Sequence, residues 1–203
     1  MPRLLAIGLL ITILFQPLYA AVNKSQSATA VVEQFHSTLI AAMKKSDKLG
    51  FKGRYKLLKP AIKNGHDLPG ITKVVAGRYW SKLSDKDKEL LVKTFSKLII
   101  STYASRFDEY SGEKFKTLSE EHLPNGDILV RTQLVKSDGE KLSFDYVLRN
   151  DGKNWRVRNI IVDGVSDLAI KRTEYTSILR GEGVKALIEK LKEKITKQSV
   201  PTS

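Results

Sequence analysis

The stretch "DILVRTQLVKSDGEKLSFDYVLRNDGKNWRVRNIIV", residues 127–162, decides the fold. Its apolar residues recur at every second position. Ile128, Val130, Thr132 and Leu134 fall on one side, with Arg131 and Gln133 on the other. Successive strand residues point to opposite faces, so this alternation reads as a half-buried strand. Leu142, Phe144, Tyr146 and Leu148 alternate in the same way with Ser143, Asp145 and Arg149. Trp155, Val157, Asn159 and Ile161 make a third run. "SDG" and "NDG" lie between the runs, and both are hairpin signals. The stretch therefore reads as an antiparallel meander with one apolar face. "KFKTLSE", residues 114–120, reads as a fourth strand before it.

Upstream, the period changes to three and four. Val31, Val32, Phe35, Leu39, Ile40 and Met43 predict a helix over Thr29–Met43. A second is expected over Gly53–Lys63, ended by Gly65. A third is expected over Leu68–Leu83, with Pro69 in its first turn and a stripe of Ile71, Val74, Val75, Tyr79 and Trp80. Ser84 then reads as an N-cap, with Asp85 and Asp87 at the positive helix end. The long helix that follows carries Leu90, Leu91, Phe95, Leu98, Ile99, Tyr103, Phe107 and Tyr110 on one stripe, and Gly112 stops it. Asp108 and Glu109 point elsewhere and are expected to pair with Arg106 at the surface. Two more helices are expected over Val165–Leu179 and Val184–Ile195, joined through the glycines of "RGEGVK". Helices, then sheet, then helices is an α+β order, in which the helices cover the apolar face of the sheet.

The chain opens with Arg3, an apolar run from Leu4 to Phe15, Pro17, and the small residues Ala20 and Ala21. This is the layout of a secretory signal peptide, residues 1–20, cleaved after Ala20. The run is shorter than the roughly 20 residues a membrane span needs. A single domain over 21–197 is expected to follow, with a disordered tail over 198–203. The 203 residues contain no cysteine, which excludes disulfides and Cys–metal sites. An exported protein of this kind fits a bacterial periplasm. Lys and Arg number 35 against 22 Asp and Glu, a net charge of +13. Outside the cytosol such a surface suits anionic lipid headgroups or an acidic protein, not nucleic acid. Lysines spread along the helices would also serve solubility alone.

The three histidines, His36, His66 and His122, lack metal-ligand spacing, and no phosphate or dinucleotide loop is present. No metal or cofactor is expected. Asp145 and Tyr146 are neighbours on one strand, so they face opposite sides and converge on one cavity only where a bulge intervenes. Asp167 reads as a first-turn helix acid. No constellation demands catalysis. What remains is apolar. The sheet contributes Val130, Leu134, Phe144, Tyr146, Trp155 and Val157. The helices contribute Val74, Tyr79, Phe95, Ile99, Tyr103 and Phe107. These layers either touch as ordinary core or stand apart around a ligand. A small exported enzyme with a pocket carboxylate, or a filled-core partner protein, is also consistent with this pattern.

"GRYWSKLSDKDKELLVKTFSKLIISTYASRFDEYSGE", "VRTQLV" and "DYVLRNDGKNWRVRNIIVDGVSDLAIKRTEYTSILRGEGVKALIEKL" resemble the MlaC phospholipid-binding family, also called the toluene-tolerance family. The similarity runs from about residue 30 to 193. It implies a curved sheet of about four strands covered by helices that enclose a deep apolar pocket. It also implies a periplasmic, non-catalytic carrier, with acyl chains inside and the headgroup outside. The implied partners are an outer-membrane lipoprotein complex and an MCE-domain protein of an inner-membrane ABC transporter. The twelve apolar residues above are then the lipid-binding candidates. Arg78, Arg131, Lys141 and Arg149 are candidates for a headgroup or partner rim, whose contacts would weaken with salt. The chain departs from the family pattern at His66, where the family shows Phe before the Asp. "VSDLAIKRTEY" is similar to the hopanoid-associated HpnM branch, which implies a hopanoid as the alternative cargo.

Overall fold

A computed structural model describes residues 26–199. The proposed signal peptide, and the tail beyond Ser199, lie outside the described residues. Helix α1 spans Ala28–Lys44, and Ser27 caps it by accepting from the amide of Ala30. Helix α2, Ser46–Gly65, begins earlier than expected and is broken at Gly50, whose φ of 54° only glycine adopts freely. Helix α3 stops at Ala76, having begun at Leu68. Gly77, at φ 55°, ends it, and a 3₁₀ turn over Gly77–Lys82 replaces the expected last turns.

The Ser84 cap forms as expected, with its hydroxyl accepting from the amide of Asp87. Helix α4 runs Asp85–Arg106 and ends one residue before Phe107. Tyr110 is therefore not on its stripe. It is exposed in the following loop, with the Lys44 ammonium 4.9 Å from its ring centre. Among the described residues Arg106 makes no ion pair with Asp108 or Glu109.

The sheet is antiparallel in the order β1 Lys114–His122, β2 Ile128–Val135, β3 Lys141–Asn150, β4 Trp155–Val162 and the two-residue β5 Val165–Ser166. Alternation holds along β2 and β3. Val130 and Tyr146 face each other across the strands, and both are fully buried. It fails in β4. Leu148 opposes Val157 while Val147 opposes Asn159, so Arg158 is an extra residue. A bulge reverses which side chains face inward beyond it. Ile160 packs on the core in place of the expected Ile161. A second bulge in β1 leaves Leu118 exposed.

Helices α5, Asp167–Gly181, and α6, Gly183–Ser199, complete the chain. The last turn of α6 extends into the segment expected to be disordered. There the Gln198 amide donates to the Thr102 hydroxyl at 2.9 Å.

Two apolar cores result. One lies between the sheet, α1, α2 and the end of α4, around Phe35, Leu39, Ile62, Val130 and Tyr146. The other joins α3 to α6 around Phe95, Tyr175, Leu187 and Leu191. Helix α4 is their common spine. Its residues Leu91, Phe95 and Leu98 belong to the second core and Ile100 and Ala104, with Phe107 at its C-cap, to the first. Ile99 packs against both.

Arg54 of α2 fixes the end of this spine. Its Nε donates to the Ala104 carbonyl at 2.8 Å and its Nη1 to the Ser46 hydroxyl at 2.8 Å. The last carbonyls of a helix lack intrahelical donors and carry partial negative charge, so a buried guanidinium there is stabilising. Arg54→Leu is expected to cost about 2 kcal/mol. Urea denaturation measures it, and an unchanged midpoint would remove this role.

Candidate functional site: a seam between two cores

The two cores meet at a small cavity. Phe95, Ile99 and Tyr103 of α4 form one wall, and Leu68 and Ile71 of α3 another. Val157, Arg158, Asn159 and Ile160 of β4, with Asp167, Leu168 and Lys171 of α5, close the rest, and His66 stands at the α2–α3 junction. The cavity measures about 40 Å³. That is room for about one water, against roughly 300–1,000 Å³ for a pocket that takes a sizeable ligand. The seam must widen to accept one.

Its polar side chains sit at the margins. The Lys171 ammonium pairs with Asp167, and Arg158 Nε lies 3.3 Å from Asp67. The β4 bulge is what brings Arg158 and Asn159 together with Val157 on this wall. Tyr103 lies edge-on to Phe35 and stacks on Phe107. Burial holds its phenol well above the ordinary value, and the Asp167 charge acts in the same direction.

His66 is positioned from both sides. Its amide donates to the Ile62 carbonyl at 3.0 Å, closing α2. Its main chain bridges to Val157, and the Asp67 amide donates to the Val157 carbonyl at 2.9 Å, so the linker lies along the edge of β4. The ring is 3 % exposed and packs edge-on against Phe35 and Tyr103. Neither ring nitrogen has a hydrogen-bond partner. Burial lowers its pKa to about 4, with the nearby Ile62 carbonyl pulling the other way. That carbonyl lies outside hydrogen-bond geometry for the ring. A buried polar group left unpaired costs about 1–3 kcal/mol.

Of the candidates read from sequence, Phe95, Ile99, Tyr103 and Val157 line this cavity. Val130 and Tyr146 are sealed in the first core, where the Tyr146 hydroxyl meets His36 Nε2 at 3.0 Å. Phe107, Phe144 and Trp155 also belong to or pack on that core and do not line the seam, although Phe107 stacks on Tyr103 of its wall. Leu134 is buried near the far end of β2, and Val74 is half-buried, both outside the two cores. Tyr79 packs on the second core and edges a separate groove with Arg78, Arg172 and Arg180.

None of the four rim candidates lines the cavity. Arg131 pairs with Glu121 and Asp145. Arg149 holds both oxygens of the buried Asp127 carboxylate. Lys141 is exposed at the start of β3. The basic side chains at the seam are Arg158 and Lys171. Lys171 had a sequence signal, its four-residue spacing from Asp167. Arg158 had none, since an unbulged strand would face it away. No cluster of acidic and imidazole side chains suited to a metal occurs among the described residues.

An open sheet roofed on one face by helices, with an apolar seam and charged margins, defines a binding protein built around a hydrophobic cavity. The chain belongs to the MlaC protein family, which it matches over residues 33–193. It is 30% identical over 123 residues to the intermembrane phospholipid transport system binding protein MlaC of Haemophilus influenzae. That match covers 59% of this chain and 58% of the relative, so it spans less than two thirds of the relative's length. In structure the chain is similar to a phospholipid-binding protein of Ralstonia solanacearum solved in complex with a phospholipid. The TM-score is 0.76 at 20% identity, covering 86% of this chain and 99% of the other. This likeness establishes the common fold. The family is one of lipid-binding transport proteins rather than enzymes.

Proposed function

We propose that this protein carries a glycerophospholipid, with its acyl chains in the seam between the two cores and its headgroup at the charged margin. The observation that carries this reading is the apolar cavity on α4, bounded by elements of both cores. The Haemophilus and Ralstonia relatives, both named for phospholipid, support phospholipid over a hopanoid. Each methylene kept from water is worth about 0.8 kcal/mol, so two chains of roughly 30 methylenes represent on the order of 25 kcal/mol. A carrier must recover nearly all of this to extract lipid from a bilayer, which demands enclosure rather than a surface patch. Loading therefore separates the second core from the sheet edge, with α4 as the shared wall.

In this reading the protein works in the periplasm as a single domain and performs no chemical step. It exchanges lipid with an outer-membrane lipoprotein complex and with an MCE-domain protein of an inner-membrane ABC transporter. Among the described residues no helix is long and apolar enough to cross a membrane, which suits a carrier that leaves both membranes. Native mass spectrometry of the purified protein, with organic extraction alongside, tests the reading. One phospholipid per chain is expected. A lipid-free mass that persists after incubation with phospholipid vesicles would overturn it, and a hopanoid adduct would transfer it to polycyclic cargo.

A further inference from the structure

His66 divides two environments. On one side it lines the apolar seam with Ile99 and Val157. On the other it lines a surface groove of about 440 Å³ with Lys63, Arg149 and Arg156 and the carboxylates of Asp67 and Asp151, in which Arg149 pairs with Asp127 and Arg156 with Asp151. His66 and Leu68 are common to both linings. An amphiphile that lays its chains in the seam and its phosphate in this groove, beside Lys63, passes its chain–headgroup junction beside this ring. In a diacyl phospholipid the junction carries ester carbonyls, which are hydrogen-bond acceptors.

The imidazole is equipped to meet them. It is buried, with both nitrogens unpartnered. Burial keeps it neutral at pH 7, so it offers one N–H, which either nitrogen can carry. Its aromatic surroundings, Phe35 and Tyr103, would suit a phenyl ring equally well without the unpaired nitrogens. A polar ring here has no hydrogen-bond partner within the protein.

We propose that His66 is an ester-recognition subsite: its ring N–H donates to an acyl ester carbonyl of the bound phospholipid and selects diacyl over dialkyl lipids. The inference rests on the carrier reading and deepens it. Ether oxygens are poor acceptors, so a lipid of the same headgroup and chain length loses this bond when its esters become ethers.

The test is a competition. Protein is incubated with vesicles holding equal amounts of dihexadecanoyl phosphatidylglycerol and its di-O-hexadecyl analogue, and the adducts are read by native mass spectrometry. The wild-type protein is expected to favour the diester by about three- to tenfold relative to His66→Phe, which should take up both lipids without that preference. In the wild-type protein the ¹⁵N–H resonance of the imidazole should move in the direction of a newly formed hydrogen bond on loading the diester and not on loading the diether, a readout that needs no variant to fold. Equal uptake of the two lipids by the wild-type protein overturns the subsite and leaves the carrier reading standing, as would a trapped water that satisfies the ring in every state. A preference that survives in His66→Phe also overturns it. Uptake of neither lipid by the wild-type protein overturns the carrier reading itself.

Discussion

Protein carrying Ile99→Trp is expected to purify folded and without lipid. Ile99 packs against both cores and lines the cavity between them. An indole in its place adds bulk comparable to the cavity itself, which is only about 40 Å³. It would bridge the two cores and hold the seam shut. Overpacking of this kind costs about 1–3 kcal/mol, which a domain of this size tolerates. The lipid adduct is expected to fall at least tenfold, read by native mass spectrometry beside a circular dichroism melt. Val74→Trp is the matched control, because Val74 is half-buried outside both cores. It should keep its lipid. A well-folded Ile99→Trp protein with a full complement of lipid would place the acyl chains somewhere other than the seam.

Acid is expected to destabilise the protein well before its carboxylates protonate. His36 is buried against Tyr146 and stacked on Phe115, and burial lowers its pKa from 6.5 to about 3. His66 is lowered to about 4. The unfolded chain takes up protons at these residues near pH 6.5, whereas the folded protein resists them until far lower pH. The histidine part of the stability is therefore full above about pH 7, falls as pH drops through 6.5, and stops falling below about pH 3. At pH 5 each histidine accounts for a loss of about 2 kcal/mol. Urea titrations at pH 7.5 and 5.0 should differ by about 4 kcal/mol. His66→Phe should retain only the His36 part of the difference. Equal stability at the two pH values would mean that the buried rings are reached by water or change position on protonation.

The same burial connects stability to the candidate site. His36 is held by Tyr146 inside the first core, so its low pKa belongs to the fold. His66 has no such partner and stands at the seam, so its unpaired nitrogens are available to a ligand. Identical residue types thus serve different ends according to what surrounds them.

Much of this was legible in the chain. Strand alternation in β2 and β3 was readable because one face is buried and the other wet. Ser84 announced α4 because a hydroxyl at that position satisfies an amide the helix leaves unpaired. The helical stripes of α1 and α6 followed from their period, as did that of α4 from Leu91 to Tyr103, whereas Leu90 is exposed and Phe107 and Tyr110 lie beyond the helix; the Asp-Gly turns separated the strands. Phe95, Ile99, Tyr103 and Val157 were legible as apolar surface, but their sequence carries nothing to distinguish them from Val130 or Tyr146. All six sit on an apolar face; whether that face meets a filled core or a cavity depends on how closely another element packs over it. That is a tertiary property. So is the β4 bulge, where one unpaired residue, Arg158, turned Ile160 inward and set a cation beside the cavity. The ring nitrogens of His66 are unpartnered only because Phe35, Tyr103 and the edge of β4 close around them. Local periodicity determined the elements and their inward faces, since it depends on neighbours in the chain. The seam, its charged margin and its one unpaired imidazole were decided by packing between α3, α4, α5 and β4, which no local pattern encodes.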